Sequence, residues 1–371
     1  MLTTVIAPKA LARRLGLCAL SCAALVAMSL GTGSGGAASA GTTVPLRVSA
    51  GPAAGSGAAG VRLPQDEAPH NAPDEWWYFS GHLQGIDAAG HVHSYGFEYV
   101  TFQYLGIAPE PVYFGNLSIT DLTRHTFQYG VQEDSYPVPA THDSFSLHTG
   151  DWSMSGGSGR DVLHADLPGY TLDLRLQTTE PAVLHGTDGV IPFGPFGSSS
   201  YYSWTSLLTS GTVIDHGTAV KVTGVSWMDH QWGSFDFASG AGWDWFSMQL
   251  SNGQQYMLYF IRDESGQIVQ TIGTRVDHGG RVTHLAAASF AEQATGSWTS
   301  PATGITYGSG WQVTVPGGHL TVTPDLPDQE LDLLSTQGVA YWEGDVSIQG
   351  KIDGSPVHGV GYTEINPPAG S

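Results

Sequence analysis

From residue 61 onward, turn-forming residues interrupt the chain at short, regular intervals, and this pattern constrains the fold more than any other feature. Gly, Pro, Asp and Asn form the breaks, and segments rich in Val, Thr, Tyr, Phe and Trp lie between them. Residues 95–102, 256–261 and 311–315 are examples of such strand-like segments. A sustained helical period is almost absent, and 290–294 gives a helical turn at most. The pattern predicts an all-β sandwich or barrel.

The first 40 residues have the features of a secretory signal. Lys9, Arg13 and Arg14 supply the positive start, residues 15–30 form the apolar run, and small residues end at Ala40, where we expect cleavage. The Arg13-Arg14 pair leaves a twin-arginine route open beside ordinary secretion. The apolar run is shorter than the about 20 residues that a membrane span requires. We therefore expect an exported, extracytoplasmic protein without stable membrane insertion.

Charge and cysteine content exclude several classes of function. The formal net charge is −20 at pH 7, and phosphate binding requires a basic surface, so we expect no nucleic-acid partner. Cys18 and Cys22 both lie inside the predicted signal. The mature chain therefore has no disulfide, no thiol nucleophile and no cysteine ligand for a metal. No feature of the sequence sets an oligomeric state.

Internal similarity predicts two related domains. Residues 76–83 align with 243–250, and residues 224–229 align with 359–364. Self-similarity at this scale indicates a duplicated unit. We predict a flexible Gly/Ala-rich leader at 41–62, an N-terminal domain at 63–235 and a C-terminal domain at 236–371, with a joint rich in Gly, Ser and Asp near 233–242.

Two clusters place ionisable groups among aromatic rings. Asp229 and His230 lie between Trp227 and Trp232, and Glu75 directly precedes Trp76-Trp77-Tyr78. The first and last strands of a closed up-and-down barrel pair antiparallel. This geometry predicts that Asp229 approaches Glu75 and, in the second copy, that Glu364 approaches Asp244. The acidic pair at each seam is open to a structural as well as a catalytic interpretation.

These motifs together resemble the secreted AttH-like proteins related to carotenoid 1,2-hydratase, also called hydroxyneurosporene synthase. The resemblance spans about residues 70–364, and its carriers are the segments 70–83, 201–203, 227–233, 243–247, 342–344 and 361–364. It implies two lipocalin-like antiparallel β-barrels in tandem, an apolar ligand and, in some members, the addition of water to an isoprenoid double bond. The carotenoid hydratases are assigned an acid on the strand after the His-x-Trp motif. The matching residues 256–261 hold no carboxylate here, and Asp263 lies just beyond them.

Asp229, His230 and Glu75 are the predicted catalytic residues. Alkene hydration requires a proton donor, a surface that tolerates a carbocation, and a delivered water. Apolar neighbours can hold Asp229 protonated, and His230 can orient the water. Aromatic faces attract a cation. The predicted ligand-binding residues are Trp76, Trp77, Tyr78, Tyr202, Trp227, Trp232, Trp245 and Tyr259; under the alternative interpretation the tryptophans belong to the barrel core.

No cofactor and no metal site are predicted. His82 and the His91-x-His93 pair have no evident third ligand, whereas His70 has a stronger claim to a role because it directly precedes the Glu75 cluster.

The expected partner is a small hydrophobic molecule. A hydratase or related lyase, a secreted hydrolase and a non-catalytic lipid or isoprenoid carrier remain as alternatives. The hydrolase lacks a Gly-x-Ser-x-Gly motif, although Glu75 and Asp229 leave a glycosidase pair open.

Overall fold

A computed structural model describes residues 60–235 and 241–368, with Phe235 described by its backbone alone. The predicted signal, nearly all of the leader and half of the joint near 233–242 lie outside these residues. Residues 60–332 and 340–368 belong to one compact unit, and Leu333–Val339 belong to another. Among the residues described, no helix is long and apolar enough to cross a membrane.

The first sheet has 12 strands and is antiparallel throughout. Its order is β4-β3-β2-β1-β12-β11-β8-β7-β6-β5, with β9 and β10 paired to β11. Strand β5 packs against β3 and β4, so the sheet curls into a nearly closed barrel. The strands are β1 (Asp74–Ile86), β2 (Val92–Tyr104), β3 (Val112–Asp121), β4 (Thr126–Ser135), β5 (Phe145–Thr149), β6 (Trp152–Gly157), β7 (Arg160–Leu167), β8 (Tyr170–Thr178), β9 (Val183–Leu184), β10 (Val190–Pro192), β11 (Gly197–Asp215) and β12 (Thr218–Phe235).

The second sheet has 10 strands in the order β16-β15-β14-β13-β24-β23-β21-β20-β17, with β22 paired to β23; β18 and β19 form a separate hairpin. Its strands are β13 (Gly242–Leu250), β14 (Gln255–Arg262), β15 (Ile268–Asp277), β16 (Arg281–His284), β17 (Ala291–Ala294), β18 (Ser297–Thr299), β19 (Thr306–Gly308), β20 (Trp311–Val315), β21 (Gly318–Pro324), β22 (Glu330–Leu333), β23 (Val339–Ile352) and β24 (Ser355–Asn366). Short 3-10 helices cover Gln65–Glu67, Gly194–Phe196 and Ala287–Ser289. Within the described ranges there is no α-helix, which confirms the all-β prediction; the helical turn expected at 290–294 is the strand β17.

The hydrophobic core has three layers. One fills the first sheet and contains Trp77, Phe79 and Trp152. A second fills the other sheet around Phe246 and Trp311. The third takes its side chains from both sheets, so it lies between them. Strand β2 is buried on both faces because one face lines the first barrel and the other meets the second sheet.

The internal alignment of the sequence matches the observed strand register. Strand β1 pairs with β12, and β13 pairs with β24, so the first and last long strands of each half are neighbours. Tyr78 lies opposite Asp229 in the first pair, and Trp245 lies opposite Glu364 in the second. Since aligned residues occupy equivalent positions, these strand pairs have the same register in both sheets.

A glycine at an equivalent place in each half lets two backbones approach closely. A Cβ atom added to Gly224 would collide with the carbonyl oxygen of His82, and one added to Gly359 would collide with that of Gln249. Because backbone cannot move aside as a side chain can, we expect Gly224→Ala to lower the free energy of unfolding by about 1–3 kcal/mol. Urea unfolding measures this. Thr223→Ala, at the exposed neighbouring position, is the control and should change stability by less than about 0.5 kcal/mol.

Candidate functional site

Strand alternation divides the predicted site residues between two faces. Consecutive residues of a strand point to opposite sides of the sheet. Asp229 therefore faces the layer between the sheets, whereas His230 faces the interior of the first barrel with Trp77 and Trp232. The structure therefore places Asp229 and His230, two of the predicted catalytic residues, on opposite faces of the sheet. The layer between the sheets receives Trp76, Tyr78, Trp227, Asp229, Trp245 and Tyr259, and the barrel interior receives Glu75, Trp77, Tyr202, His230 and Trp232.

The predicted seam pairs of carboxylates do not form. Strands β1 and β12 pair as expected, but Asp229 lies opposite Tyr78, three residues from Glu75 and on the other face. In the second sheet, Glu364 likewise lies opposite Trp245. Asp244 is turned to the other side, where Arg262 bridges it to Glu292. Glu75 is three residues from the position opposite Asp229, and Asp244 is one residue from the position opposite Glu364. Any odd offset along a strand reverses the face, and this reversal separates both pairs.

Four carboxyl groups instead meet in the layer between the sheets: Glu98 on β2, Asp229 on β12, Glu343 on β23 and Glu364 on β24. We call them the interbarrel carboxyl cluster. Glu343 and Glu364 lie directly opposite each other on neighbouring strands, an arrangement that is unfavourable when both are ionised. Tyr78 connects the two sheets because its hydroxyl donates to Glu343 Oε1 at 2.8 Å. The cluster is therefore formed by both halves of the chain.

Burial keeps this cluster protonated to an unusual degree. Desolvation disfavours the charged form of a carboxyl group. Burial, reinforced by the neighbouring Glu364, raises the pKa values of Glu98 and Glu343 well above the ordinary value of 4.5. Burial also raises the pKa of Asp229 to about 7, although three hydrogen bonds oppose the change, and it raises the pKa of Glu364 to about 7. Near neutral pH, the cluster therefore contains protonated carboxyl groups, which can donate a proton, beside partly ionised ones, which can accept a proton.

Glu98 differs from the other members in its hydrogen bonding. Glu98 is 1% exposed, and neither carboxyl oxygen has a hydrogen-bond partner of normal geometry within the described residues. The Ser118 hydroxyl, opposite Glu98 on β3, lies near enough to lower the pKa of this carboxyl, although burial outweighs it. A buried polar atom without a partner costs about 1–3 kcal/mol. Such an atom in a native protein calls for an explanation, and a functional group directed at a ligand is one.

Asp229, by contrast, is fully hydrogen-bonded. Trp227 Nε1 donates to Oδ1 at 2.7 Å, the Tyr201 hydroxyl donates to Oδ2 at 2.7 Å, and the Ser203 hydroxyl donates to Oδ1. Ser203 Oγ also lies 2.7 Å from His185 Nε2, and His185 Nδ1 lies 2.9 Å from Thr274 Oγ1 on the second sheet. These contacts fix the orientation of the Asp229 carboxyl and link it to the fully buried His185.

Glu75 and His230 belong to a different cluster, at one end of the first barrel. Glu75 is fully buried and accepts hydrogen bonds from His70 Nδ1 at 2.7 Å and from His230 Nε2 at 2.7 Å. The His70 backbone N–H and Gln103 Nε2 donate to Oε2 at 2.8 and 3.0 Å. The ring of Trp232 stacks on His70 with centroids 4.0 Å apart. His70 therefore joins this cluster.

The remaining singled-out residues have partners outside these two clusters. His82 Nδ1 lies 2.9 Å from Asp345 Oδ1. His91 and His93 both contact Asp87, at 3.0 and 3.3 Å. The Asp263 carboxylate accepts the backbone N–H groups of residues 265 and 267, so it closes the turn after β14 and does not reach the interbarrel cluster.

Glu98 and Glu343 were not among the predicted site residues, although the sequence contains a signal for a buried carboxylate. Glu98 sits in the middle of residues 95–102, a segment without any other charged residue. Glu343 follows the uncharged residues 340–342, but Asp345 lies two residues beyond it, so the signal for Glu343 is weaker. A lone carboxylate in an otherwise uncharged strand must be buried when both faces of that strand are covered, and buried carboxylates of perturbed pKa concentrate at functional sites.

Two antiparallel barrels in tandem, with a carboxyl cluster between them, define the class of this protein as tandem lipocalin-like. The family model described as AttH-like matches residues 55–367. The chain belongs to this family.

Similar proteins agree with this assignment. A crystal structure of a putative AttH from Nitrosomonas europaea is 27% identical, with a TM-score of 0.74 over 83% of this chain and 97% of that chain. The kievitone hydratase of Fusarium solani subsp. phaseoli is 27% identical over 212 residues, which are 54% of this chain and 58% of that protein. The match thus spans little more than half of that relative. The crystal structure of kievitone hydratase from Nectria haematococca, 18% identical over 83% of this chain and 93% of that one, has the same fold, with a TM-score of 0.68. The hydratase-type, lipocalin-like fold is therefore shared.

Proposed function

We propose that this protein is an exported hydratase that adds water to a carbon–carbon double bond of an apolar, isoprenoid-like ligand at the interbarrel carboxyl cluster. The observation that carries the proposal is Glu98, a fully buried carboxyl group of raised pKa whose oxygens accept no hydrogen bond of normal geometry in the described chain. Such a group keeps its proton near neutral pH and has that proton available for a ligand. The kievitone hydratase relative supports the same class of reaction.

Glu98 and Asp229 supply the acid and the base. Neighbouring carboxyl groups whose pKa values are driven apart take opposite roles in acid–base catalysis. Glu98 gives its proton to one alkene carbon, which forms a C–H bond and leaves a carbocation on the other carbon. The oxygen of water bonds to that carbon, and the Asp229 carboxylate takes the proton released. Return of this proton to Glu98 restores the starting state, and the sum of the steps is the addition of one water.

Aromatic rings around the cluster suit a cationic intermediate. Tyr78 and Trp227 both meet Trp245 edge to face, with ring centroids 5.4 and 6.3 Å apart. Tyr259 lies in the same layer. An aromatic face stabilises a cation by about 0.5–2 kcal/mol, so several rings lower the barrier to alkene protonation appreciably.

The alternative of a serine hydrolase has less support from the contacts. Ser203 lies beside His185, but the Ser203 hydroxyl donates its proton to Asp229 and not to the imidazole. In a catalytic triad, the second nitrogen of the histidine faces a carboxylate. The second nitrogen of His185 faces the Thr274 hydroxyl instead. A serine that donates to a carboxylate is held in place and is not activated as a nucleophile.

The test uses mature chain, residues 41–371, incubated with a panel of isoprenoid alkenes in water enriched in heavy oxygen. We expect mass spectrometry to find the label in a new alcohol. Label in a carboxylic acid would contradict the proposal in favour of a hydrolase. Ligand binding without incorporation of label would contradict it in favour of a carrier.

A further inference from the structure

A second constellation lies apart from the interbarrel cluster, on the interior face of the first barrel. His70 Nδ1, Glu75 Oε1 and His230 Nε2 lie within 4.8 Å of one another. They come from three separate places in the fold: the segment before β1, β1 itself and β12. Within residues 60–235 and 241–368, no other group of three or more His, Cys, Asp or Glu side chains has its possible ligand atoms this close together.

We propose that His70, Glu75 and His230 bind a divalent transition-metal ion, with Zn²⁺ as the expected occupant. Two imidazoles and one carboxylate are a ligand set found at zinc sites that keep a fourth position open. Borderline nitrogen and hard oxygen donors together favour Zn²⁺ over Ca²⁺ or Mg²⁺. Tetrahedral zinc with bonds of about 2.0–2.2 Å separates its ligand atoms by roughly 3.3 Å. The two histidine-to-Glu75 distances, each 2.7 Å, would need to widen by only about 0.6 Å.

Both histidines have an oxygen beside the ring nitrogen that faces away from Glu75. His70 Nε2 lies 3.6 Å from Asp66 Oδ1, and His230 Nδ1 lies 3.3 Å from the Tyr202 hydroxyl. Metal-binding histidines almost always donate their second ring N–H to such an oxygen. In the hydrogen-bonded arrangement, the nitrogens facing Glu75 carry the protons. When the metal binds those nitrogens, the proton of each ring is held on the opposite nitrogen, where Asp66 or Tyr202 can accept a hydrogen bond from it.

The surroundings hold two ligands rigidly and leave the third accessible. Glu75 and His230 are fully buried, whereas the His70 side chain is 22% exposed. Stacking on Trp232 and a ring contact of 4.5 Å between Trp77 and His230 fix the two imidazoles. A metal ion can therefore enter from the His70 side and find preformed ligands behind it.

Zinc binding is measured by calorimetry on the mature chain after treatment with a chelator. We expect one Zn²⁺ per chain and a higher unfolding temperature when Zn²⁺ is present, since a ligand that binds only the native state stabilises it. The informative variant is His70→Gln. Its amide can still donate to Glu75, so a merely structural hydrogen bond survives while the imidazole ligand is lost. We expect the zinc affinity of His70→Gln to fall by more than about 100-fold. Loss of a residue that only hydrogen-bonds a metal ligand costs about 10- to 100-fold, so a larger loss identifies His70 as a ligand.

The matched control is His164→Gln, which removes an exposed histidine paired with Asp173 at 2.7 Å, and it should leave zinc affinity unchanged. Wild-type protein that binds no Zn²⁺ would overturn the proposal, as would equal affinities of the wild type and His70→Gln. Asp66→Asn, at the outer partner of His70, should weaken binding by about 10- to 100-fold. The site and the proposed hydratase cluster lie on opposite faces of β12, so failure of this test leaves the hydratase proposal standing.

Discussion

Glu98→Gln should reduce the rate of alkene hydration by about 100- to 10,000-fold, the contribution that a positioned general acid makes. Glutamine has nearly the same shape as a protonated glutamate, but it has no acidic proton to transfer to carbon. The measurement is the initial rate of labelled alcohol formation from an alkene that the wild-type protein hydrates. A loss of less than tenfold would exclude Glu98 as the proton donor.

Stability separates this catalytic role from a structural one. The Glu98 carboxyl makes no hydrogen bond of normal geometry to the described part of the chain, and the amide oxygen of glutamine can still face the Ser118 hydroxyl opposite it. We expect the unfolding temperature of Glu98→Gln to equal or exceed that of the wild type. Glu133→Gln, the same change at an exposed position on β4, is the control and should alter neither the rate nor the stability.

The free energy of unfolding should fall as pH rises from about 5 to 8. A carboxyl group whose pKa is higher in the folded than in the unfolded chain stabilises the fold fully below its unfolded pKa, and this contribution is lost as pH rises through the folded pKa. For Asp229 the pKa rises from 3.8 to about 7, and about 2.6 kcal/mol of the resulting stabilisation is lost between pH 5 and 8. Burial also raises the pKa values of Glu67, Asp161, Glu292, Asp325 and Glu364 to about 7 or 8.

Two buried histidines act in the opposite direction. Burial lowers the pKa of His185 to about 3 and that of His230 to about 4, so protonation of the unfolded chain below pH 6.5 favours unfolding. The raised carboxyls outnumber them, and the net charge of −20 adds repulsion at neutral pH. We therefore expect maximal stability at weakly acidic pH.

Urea unfolding at pH 5, 6, 7 and 8 measures this dependence for the wild type and for Asp229→Asn. The variant should show a stability difference between pH 5 and 8 that is smaller by about 2.6 kcal/mol, because the asparagine does not titrate. Asp166→Asn, at an exposed position, is the control and should reproduce the wild-type dependence. Stability that rises with pH, or an unchanged dependence in Asp229→Asn, would contradict the assignment of buried, protonated carboxyls.

The two experiments also distinguish the interbarrel cluster from a purely architectural acidic seam. Three hydrogen bonds anchor Asp229, so its replacement disturbs Trp227, Tyr201 and Ser203. Glu98 has no such partners. A site that evolved only to hold the sheets together would have the hydrogen bonding of Asp229 at every carboxyl, whereas a site for a ligand has at least one group like Glu98.

The sequence by itself determined the class of fold and the duplication. Turn residues at short intervals and two-residue alternation are local signals, and they are sufficient to predict strands and their approximate limits. The alignment of residues 76–83 with 243–250 predicted equivalent strands, and the register of Tyr78 with Asp229 and of Trp245 with Glu364 agrees with it. Pairing of the first with the last long strand followed from the barrel topology. The strand pairing was therefore predicted correctly, but its register sets Asp229 opposite Tyr78 and not beside Glu75.

Only the tertiary structure decided which of these residues share a site. Neighbours in a strand point to opposite faces, so Asp229 and His230, adjacent in sequence, enter different layers. Glu98, Glu343 and Glu364 join Asp229 because two sheets pack face to face, a contact between segments up to 266 residues apart that no local pattern encodes. Likewise, His70, Glu75 and His230 meet because the last strand of the first sheet returns beside the first. Burial, and with it the altered pKa values that give these groups their chemistry, is a property of the packed sheets and not of the chain.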